Sequence, residues 1–389
     1  MRSTGVAVAF LAVRSRLTCT RLGPRQGIYG ALRATNTTQR HILVLDPASP
    51  AYQGIETAGY QVTALHGLSD TELEQVLPAY DAVVVRSANQ ITGNMLVASP
   101  RVAIIGRAGS GVDNIDLKAA AELGVPVVNA PTGNSGSVAE LVMGLMLGVS
   151  RSISSAHDTT RRGEWAKSNF TGRTLSGKTL GIVGFGSVGI ALARLAVAFG
   201  MVVMIAEGSS PTPCSGRAEE IDPRASERET AASQAGVTLP PLPLDELLSK
   251  SDFFSVHCPL TADTKGLISR RELALMKPSA VVINAARGGV VDELALLQSL
   301  EQGHLGGAAL DVFECERSPL QDHVVSLCRL PNVLCTPHIG GSTEEAGERV
   351  LAEVCGAVVD FFQGTLPASK IVNGAPDMTV RFSRLGSSS

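Results

Sequence analysis

The chain has 389 residues, 44% of them hydrophobic, and a formal net charge of −3. That length and apolar content suffice for two domains with full cores, and they exclude a wholly disordered or low-complexity chain. The near-neutral balance argues against nucleic acid as a partner. A membrane span is not expected either, because the longest apolar runs, 6–13 and 141–149, fall far short of the roughly 18–20 residues a spanning helix needs.

The charge is unevenly spread. Residues 1–40 carry seven arginines (Arg2, Arg14, Arg16, Arg21, Arg25, Arg33 and Arg40), no lysine and no acid. Of the 33 basic residues, 26 therefore remain against 36 acids, and the rest of the chain stands at −10. Such a leader has the composition of an organelle transit peptide, and mitochondrial import is expected. The cytosol is the alternative if the leader is an untargeted extension. A secretory reading of 6–13 is disfavoured by Arg14 and Arg16, which stand where small cleavage-site residues belong. Cys19, Cys214, Cys258, Cys315, Cys328, Cys335 and Cys355 form no CxxC pair and no zinc-spaced cluster, so no metal is expected and the thiols read as buried and free.

Strand-like runs at 41–46, 61–65, 82–86, 102–106 and 126–129 alternate with helical stretches at 50–58, 69–76, 92–98 and 117–123. This alternation predicts an open parallel sheet with crossover helices. A break at 131–134 (PTGN) precedes one long helical run, 135–162. A second α/β series opens at 179–184 and continues with strands at 201–206, 252–257, 280–284, 308–312 and 333–336. The segment 208–243, rich in Pro, Ser and mixed charge, reads as a surface excursion with little structure, and 376–389 as a frayed tail. The expectation is an α/β protein with two doubly wound parallel sheets. Its first domain is 41–130, a second α/β domain (131–340) is inserted, and 341–375 returns to the first domain.

Gly184, Gly186 and Gly189 form a GxGxxG motif between a strand and a helix. In that context the first glycine permits a tight turn, the second lets a pyrophosphate approach, and the third packs helix on strand. Ser187 and Val188 then open a helix whose free N–H groups face the phosphates. Glu207, 18 residues beyond Gly189, ends the next strand. A carboxylate there accepts bonds from ribose hydroxyls and repels a 2′-phosphate, so NAD is expected rather than NADP.

Four further blocks accompany this motif: 105–116 (IGRAGSGVDNID), 282–293 (VINAARGGVVDE), 306–316 (GGAALDVFECE) and 336–343 (TPHIGGST). Over roughly 41–375 the chain resembles the D-isomer-specific 2-hydroxyacid dehydrogenases. The resemblance implies a Rossmann NAD domain inserted into a flavodoxin-like substrate domain. It implies a triad of His338 as general base, Glu316 as its supporting acid, and Arg287 as the cation for carboxylate and carbonyl oxygens; these residue types suit those tasks. It also implies cofactor contacts at Ser110, Glu207, His257, Cys258, Pro259, Ala285, Ala286, Arg287, Asp311, His338, Gly340 and Gly341. His257 could serve as a base by chemistry alone, but its setting matches the family's cofactor-contacting strand end.

Within the family, the blocks 83–87 (VVVRS), 106–114 (GRAGSGVDN) and 129–137 (NAPTGNSGS) are similar to those of members that oxidise 3-phosphoglycerate. The resemblance implies phosphate and carboxylate contacts at Arg86 and Arg107 and a substrate contact at Asn134. Alternatives are a glyoxylate/hydroxypyruvate reductase, a D-lactate-type enzyme, or a non-enzymatic, NAD-sensing corepressor-like protein. Glu207 stands where Asp is commoner, and Arg317 where Pro is common. A homodimer is expected through the helical run 135–162. Serine feedback through an appended regulatory domain is not expected.

Overall fold

The computed structural model describes residues 40–46, 50–206, 225–316 and 318–374. These form two compact units. One comprises the described residues up to Ala130 together with those from Leu351 onward, and the other is Pro131–Val350.

The first unit is built on strands β1 (His41–Val44), β2 (Gln61–Ala64), β3 (Ala82–Val85), β4 (Ile104–Arg107) and β5 (Val127–Asn129). All pairs are parallel, in the order β2-β1-β3-β4-β5. Runs such as AVVV in β3 are apolar at every position because helices cover both faces. On one face Leu43, Val83, Val85, Ile105 and Val127 pack with Leu73, Leu77 and Leu96. Val354, from the helix Glu344–Gln363, lies against Gly106 of β4. Local chemistry starts the connecting helices. Ser69 and Glu72 form a reciprocal capping box before Asp70–Val76, and Asp116 accepts the Ala119 N–H at 2.9 Å before Leu117–Glu122.

The second unit holds β6 (Thr179–Val183), β7 (Val202–Ala206), β8 (Thr238–Leu242), β9 (Phe253–Val256), β10 (Val281–Asn284), β11 (Gly307–Leu310) and β12 (Val333–Cys335). They lie parallel in the order β12-β11-β10-β9-β6-β7-β8. Successive residues point to opposite faces. Ile182, Val281 and Ile283 therefore join Val142 and Met146 in one core, whereas Val183, Val282 and Phe254 join Leu296 and Leu310 in the other. Chain order reverses between β6 and β9. Such a reversal opens a crevice at the carboxyl ends of the two strands, where α/β folds take up ligands.

Four expectations are corrected. The helical run 135–162 is two helices, Ser135–Ser150 and Ile153–Arg161, because Ser152 adopts a left-handed φ of 48° that ends the first. The segment 208–243 is more structured than expected: it contains the helix Ala225–Gln234 and edge strand β8. Pro240 and Pro241 hide the strand from a propensity reading, although an edge strand tolerates them. The thiols are not uniformly buried. Among the described cysteines Cys355 is buried, Cys258, Cys315 and Cys335 are half-buried, and Cys328 is exposed; Cys19 and Cys214 lie outside the described residues, as do the leader and the tail from 375. The chain returns to the first unit at Leu351, inside the helix Glu344–Gln363, rather than at 341.

After that helix the chain closes the β5 edge. Val372 donates to Val127 O at 2.9 Å. The Asn373 side chain accepts from Val127 N and donates to Val125 O, both at 2.9 Å. Replacing Asn373 by Ala leaves a buried donor and acceptor without their partner, which costs about 1–3 kcal/mol. Faster amide exchange at Val127, with exchange in the second unit unchanged, is the expected result.

Candidate active site

The nucleotide turn sits at the strand-order reversal. Gly184 follows β6 with φ 90°, and a side chain there would collide with the backbone of His257 and Cys258. Gly189 packs on the Gly184 carbonyl oxygen. Gly186 precedes the helix Ser187–Ala198, and a Cβ on it would meet nothing within 4 Å. The first bond of that helix runs from Ile190 N to Gly186 O at 2.9 Å, so the N–H groups of Ser187, Val188 and Gly189 lack helical acceptors. Open space over a helix N-terminus fits a dinucleotide pyrophosphate. Glu207 lies outside the described residues.

His257 continues the β9 edge. Its N–H donates to Val183 O at 2.8 Å, and its ring Nε2 meets Ser255 Oγ at 2.8 Å. Burial pushes the imidazole down to about 4 and the neighbouring Cys258 thiol up to about 11. Both are therefore neutral near pH 7. This removes His257 as a proton-accepting base near its ordinary range and leaves a polar, uncharged strand end. Pro259 O accepts the Thr264 hydroxyl at 2.6 Å.

The ends of β10, β11 and β12 carry the other cluster. Asn284 ends β10 and folds its amide onto the next turn. Its Oδ1 accepts the Ala286 N–H at 3.1 Å, and its Nδ2 donates to Arg287 O at 2.9 Å. This presents Ala285, Ala286 and Arg287 in a fixed turn, and Arg287 Nη1 donates to Ala286 O at 2.7 Å. His338 Nδ1 and Glu316 Oε2 are 2.7 Å apart. The bond to Glu316 holds the imidazole above its ordinary range, against the opposing effects of burial and the Arg287 charge. For Glu316 burial acts upward, but the His338 bond and charge, the Phe313 N–H and Arg287 outweigh it and hold the carboxyl low. The three expected catalytic residues thus influence one another.

His338 has a left-handed backbone, φ 54°, which is costly outside glycine. Asp311, 1% exposed at the end of β11, holds it there. Its carbonyl accepts the His338 N–H at 2.8 Å. Its Oδ1 accepts the Thr336 hydroxyl at 2.6 Å and the Ile339 N–H at 2.9 Å, and its Oδ2 accepts the Gly340 N–H at 2.8 Å. The Asn134 amide packs against Gly341, and its buried Oδ1 accepts no hydrogen bond from the described residues. A polar atom so placed suits a ligand contact.

Arg86, Arg107 and Ser110 belong to the first unit. Arg86 follows β3 and pairs through Nε with Asp46 Oδ2 at 2.6 Å, across the β1/β3 reversal of strand order. Arg107 ends β4, with Nη1 3.4 Å from Ala108 O. Ser110 O accepts the Asn129 amide at 2.6 Å.

Sequence reasoning overlooked the supporting residues. Asn284 immediately precedes the AAR run, and an Asn ending a strand before a sharp turn was a readable signal. Glu293 also escaped notice: 8% exposed, it accepts the Glu314 N–H at 2.6 Å and meets His323 Nε2 at 3.0 Å, which steadies the loop carrying Glu316. Nothing local in the sequence marks that pairing. Asp311→Asn confronts the turn's donors with a further donor, at a cost of about 1–3 kcal/mol. Faster amide exchange at Ile339 and Gly340, together with reduced turnover, is expected.

Residues 143–340 match the NAD-binding domain of the D-isomer-specific 2-hydroxyacid dehydrogenases. The chain is 41% identical over 333 residues to the D-3-phosphoglycerate dehydrogenase of Methanocaldococcus jannaschii, covering 85% of this chain and 59% of that protein. It is 40% identical over 294 residues to the hydroxypyruvate reductase of Thermotoga maritima, covering 76% and 88%. Its fold is similar to that of the Aquifex aeolicus D-lactate dehydrogenase complexed with NAD and lactic acid, with TM-score 0.71, 26% identity, and coverage of 86% and 99%. The chain spans little more than half the length of the phosphoglycerate dehydrogenases it matches, 59% and 56% for the Methanocaldococcus and Synechocystis proteins. Its glycine turn, its His–Glu pair and the matched span agree: the chain belongs to the D-isomer-specific 2-hydroxyacid dehydrogenases.

Proposed function

We propose that the chain is an NAD-linked dehydrogenase that oxidises D-3-phosphoglycerate to 3-phosphooxypyruvate, the first step of serine synthesis. The 2.7 Å contact of His338 with Glu316, with Arg287 close enough to perturb both, carries the dehydrogenase reading. Bound NAD supplies the hydride acceptor. His338 Nε2 takes the hydroxyl proton while Glu316 keeps the proton on Nδ1 and offsets the charge the ring gains. Arg287 holds the carboxylate and the developing carbonyl oxygen. In the reverse direction a protonated His338 returns its proton.

Oxidation needs neutral His338. Because Glu316 raises its pKa, the oxidation rate should climb with pH through a value above the ordinary histidine range, and reduction should fall there. Glu316→Gln removes the raising partner. Both profiles should then move to lower pH, and turnover should drop by about 10²-fold. Unmoved pH profiles would show that Glu316 does not act through His338.

The phosphate reading is supported by the relatives' names and by Arg86 and Arg107 at the carboxyl ends of β3 and β4, where such sheets take up anions. A second reading, hydroxypyruvate reduction, is favoured by the Thermotoga relative, 88% of whose length is matched, and by Asp46, which offsets the Arg86 charge. A panel of 3-phosphoglycerate, glycerate, lactate and hydroxypyruvate, each with NAD and NADP, separates them. Arg86→Ala should raise KM for 3-phosphoglycerate by about tenfold or more, and less for unphosphorylated analogues. Equal losses would remove the phosphate assignment.

A homodimer and mitochondrial import complete the proposal. Ile153 and Trp165, 53% and 87% exposed, follow the helix Ser135–Ser150 and support association; the acid-free leader supports import.

A further inference from the structure

Cys328 lies in the last turn of the helix Asp322–Arg329 and is exposed. Cys335, half-buried, ends β12 and packs at the border of the second unit's core. The last helical residue, three residues of tight turn and two of strand separate them, with Val333 N donating to Leu330 O at 3.1 Å. The helix and the strand pack together, and the Cys328 thiol lies near enough to Cys335 to act on its ionisation. Neither belongs to the catalytic cluster, yet Cys335 immediately precedes Thr336, whose hydroxyl holds Asp311, and stands three residues before His338.

We propose that Cys328 and Cys335 form a thiol–disulfide exchange site for low-molecular-weight disulfides, and that its closure displaces the turn carrying His338. The exposed Cys328 reacts first. Its thiolate attacks one sulfur of a disulfide RSSR; the Cys328–SR bond forms, the S–S bond of RSSR breaks, and RS⁻ leaves with the proton Cys328 gave up. Cys335, as thiolate, then attacks Cys328 Sγ; the Cys328–Cys335 bond forms, the Cys328–SR bond breaks, and RS⁻ leaves as a second RSH with the proton Cys335 gave up. Two protein thiols lose two electrons and RSSR becomes two RSH.

Burial, and next the Cys328 thiol, hold the Cys335 thiol protonated in the reduced state. The first step removes the second of these causes, so Cys335 ionises more readily when it has a mixed disulfide to attack. Closure draws the sulfurs to about 2 Å. Side-chain rotation absorbs part of the shift, and the remainder falls on 335–338. Cys335 is paired with Leu310, and Thr336 N donates to Leu310 O at 2.9 Å, so the strain reaches the segment next to Asp311. A displacement near 1 Å in a catalytic group costs on the order of 10²-fold in rate.

The test uses the full chain, reduced and then equilibrated with glutathione disulfide. Peptide mapping after alkylation should show a 328–335 linkage lighter by two hydrogens. Turnover of whichever 2-oxo acid the enzyme reduces with NADH should fall about tenfold or more and return with dithiothreitol. Amide exchange at 336–340 should change with it. Cys328→Ser and Cys335→Ser should each abolish the linkage and the inhibition, and Cys315→Ser should retain both. Failure to form the linkage, a persistent mixed disulfide at Cys328, or a linkage that leaves turnover and the 336–340 exchange unchanged overturns the proposal. The linkage and exchange need no substrate, so an inactive reduced protein would count against the dehydrogenase reading alone.

Discussion

One buried carboxylate organises the reacting end of the second unit. Asp311 receives three hydrogen bonds on its two oxygens and a fourth on its carbonyl, all from the segment Thr336–Gly340. A charge so placed is costly unless donors surround it, and here they come from a turn that would otherwise leave its own N–H groups unmet. Each side therefore satisfies the other. The left-handed backbone of His338 is the geometric outcome of that match. Asp311 N in turn donates to Asn284 O at 2.9 Å, which ties the histidine turn to the strand end that presents Arg287. His338 and Arg287 thus share a support running through β10, β11 and the start of the β12 loop.

A more general constraint lies beneath this one. Parallel strands put all their carboxyl ends on one edge, so every functional turn of a unit emerges from the same side. In the second unit that edge carries Gly184 after β6, His257 after β9, Arg287 after β10, Asp311 after β11 and His338 after β12. In the first it carries Asp46 after β1, Arg86 after β3 and Arg107 at the end of β4. Residues distant in sequence need no special device to converge; the direction of the strands delivers them.

Much of this is legible in the amino-acid sequence. Strand-like apolar runs alternating with helical stretches, and a GxGxxG after one of them, suffice to infer parallel strands and their order of appearance. The family resemblance carried by the 282–293, 306–316 and 336–343 blocks singles out Arg287, Glu316 and His338 as candidate reacting groups. Less was readable where structure depends on partners remote in sequence. Ser152 carries no mark of the left-handed turn that splits the helical run. Among the described residues β8 is paired only to β7, and it contains two prolines, so its membership in the sheet follows from tertiary pairing rather than from propensity. The hydrogen bond from Glu314 to Glu293 joins residues 21 apart, with no local periodicity to announce it.

The pair Pro240–Pro241 in β8 bears on how this protein avoids sticking to itself. A parallel sheet has two open margins, each a row of backbone groups able to recruit a foreign strand. At the β8 margin two consecutive residues lack an N–H, so a further strand cannot be zipped on in register. At the other margin β12 spans only Val333–Cys335, too short to template much. On the β5 margin of the first unit the returning residues Ile371–Asn373 occupy the groups instead. Sheets of this type assemble slowly, because every neighbouring strand must arrive through a long crossover. Blunted margins protect the chain from polymerising while those crossovers are still being made.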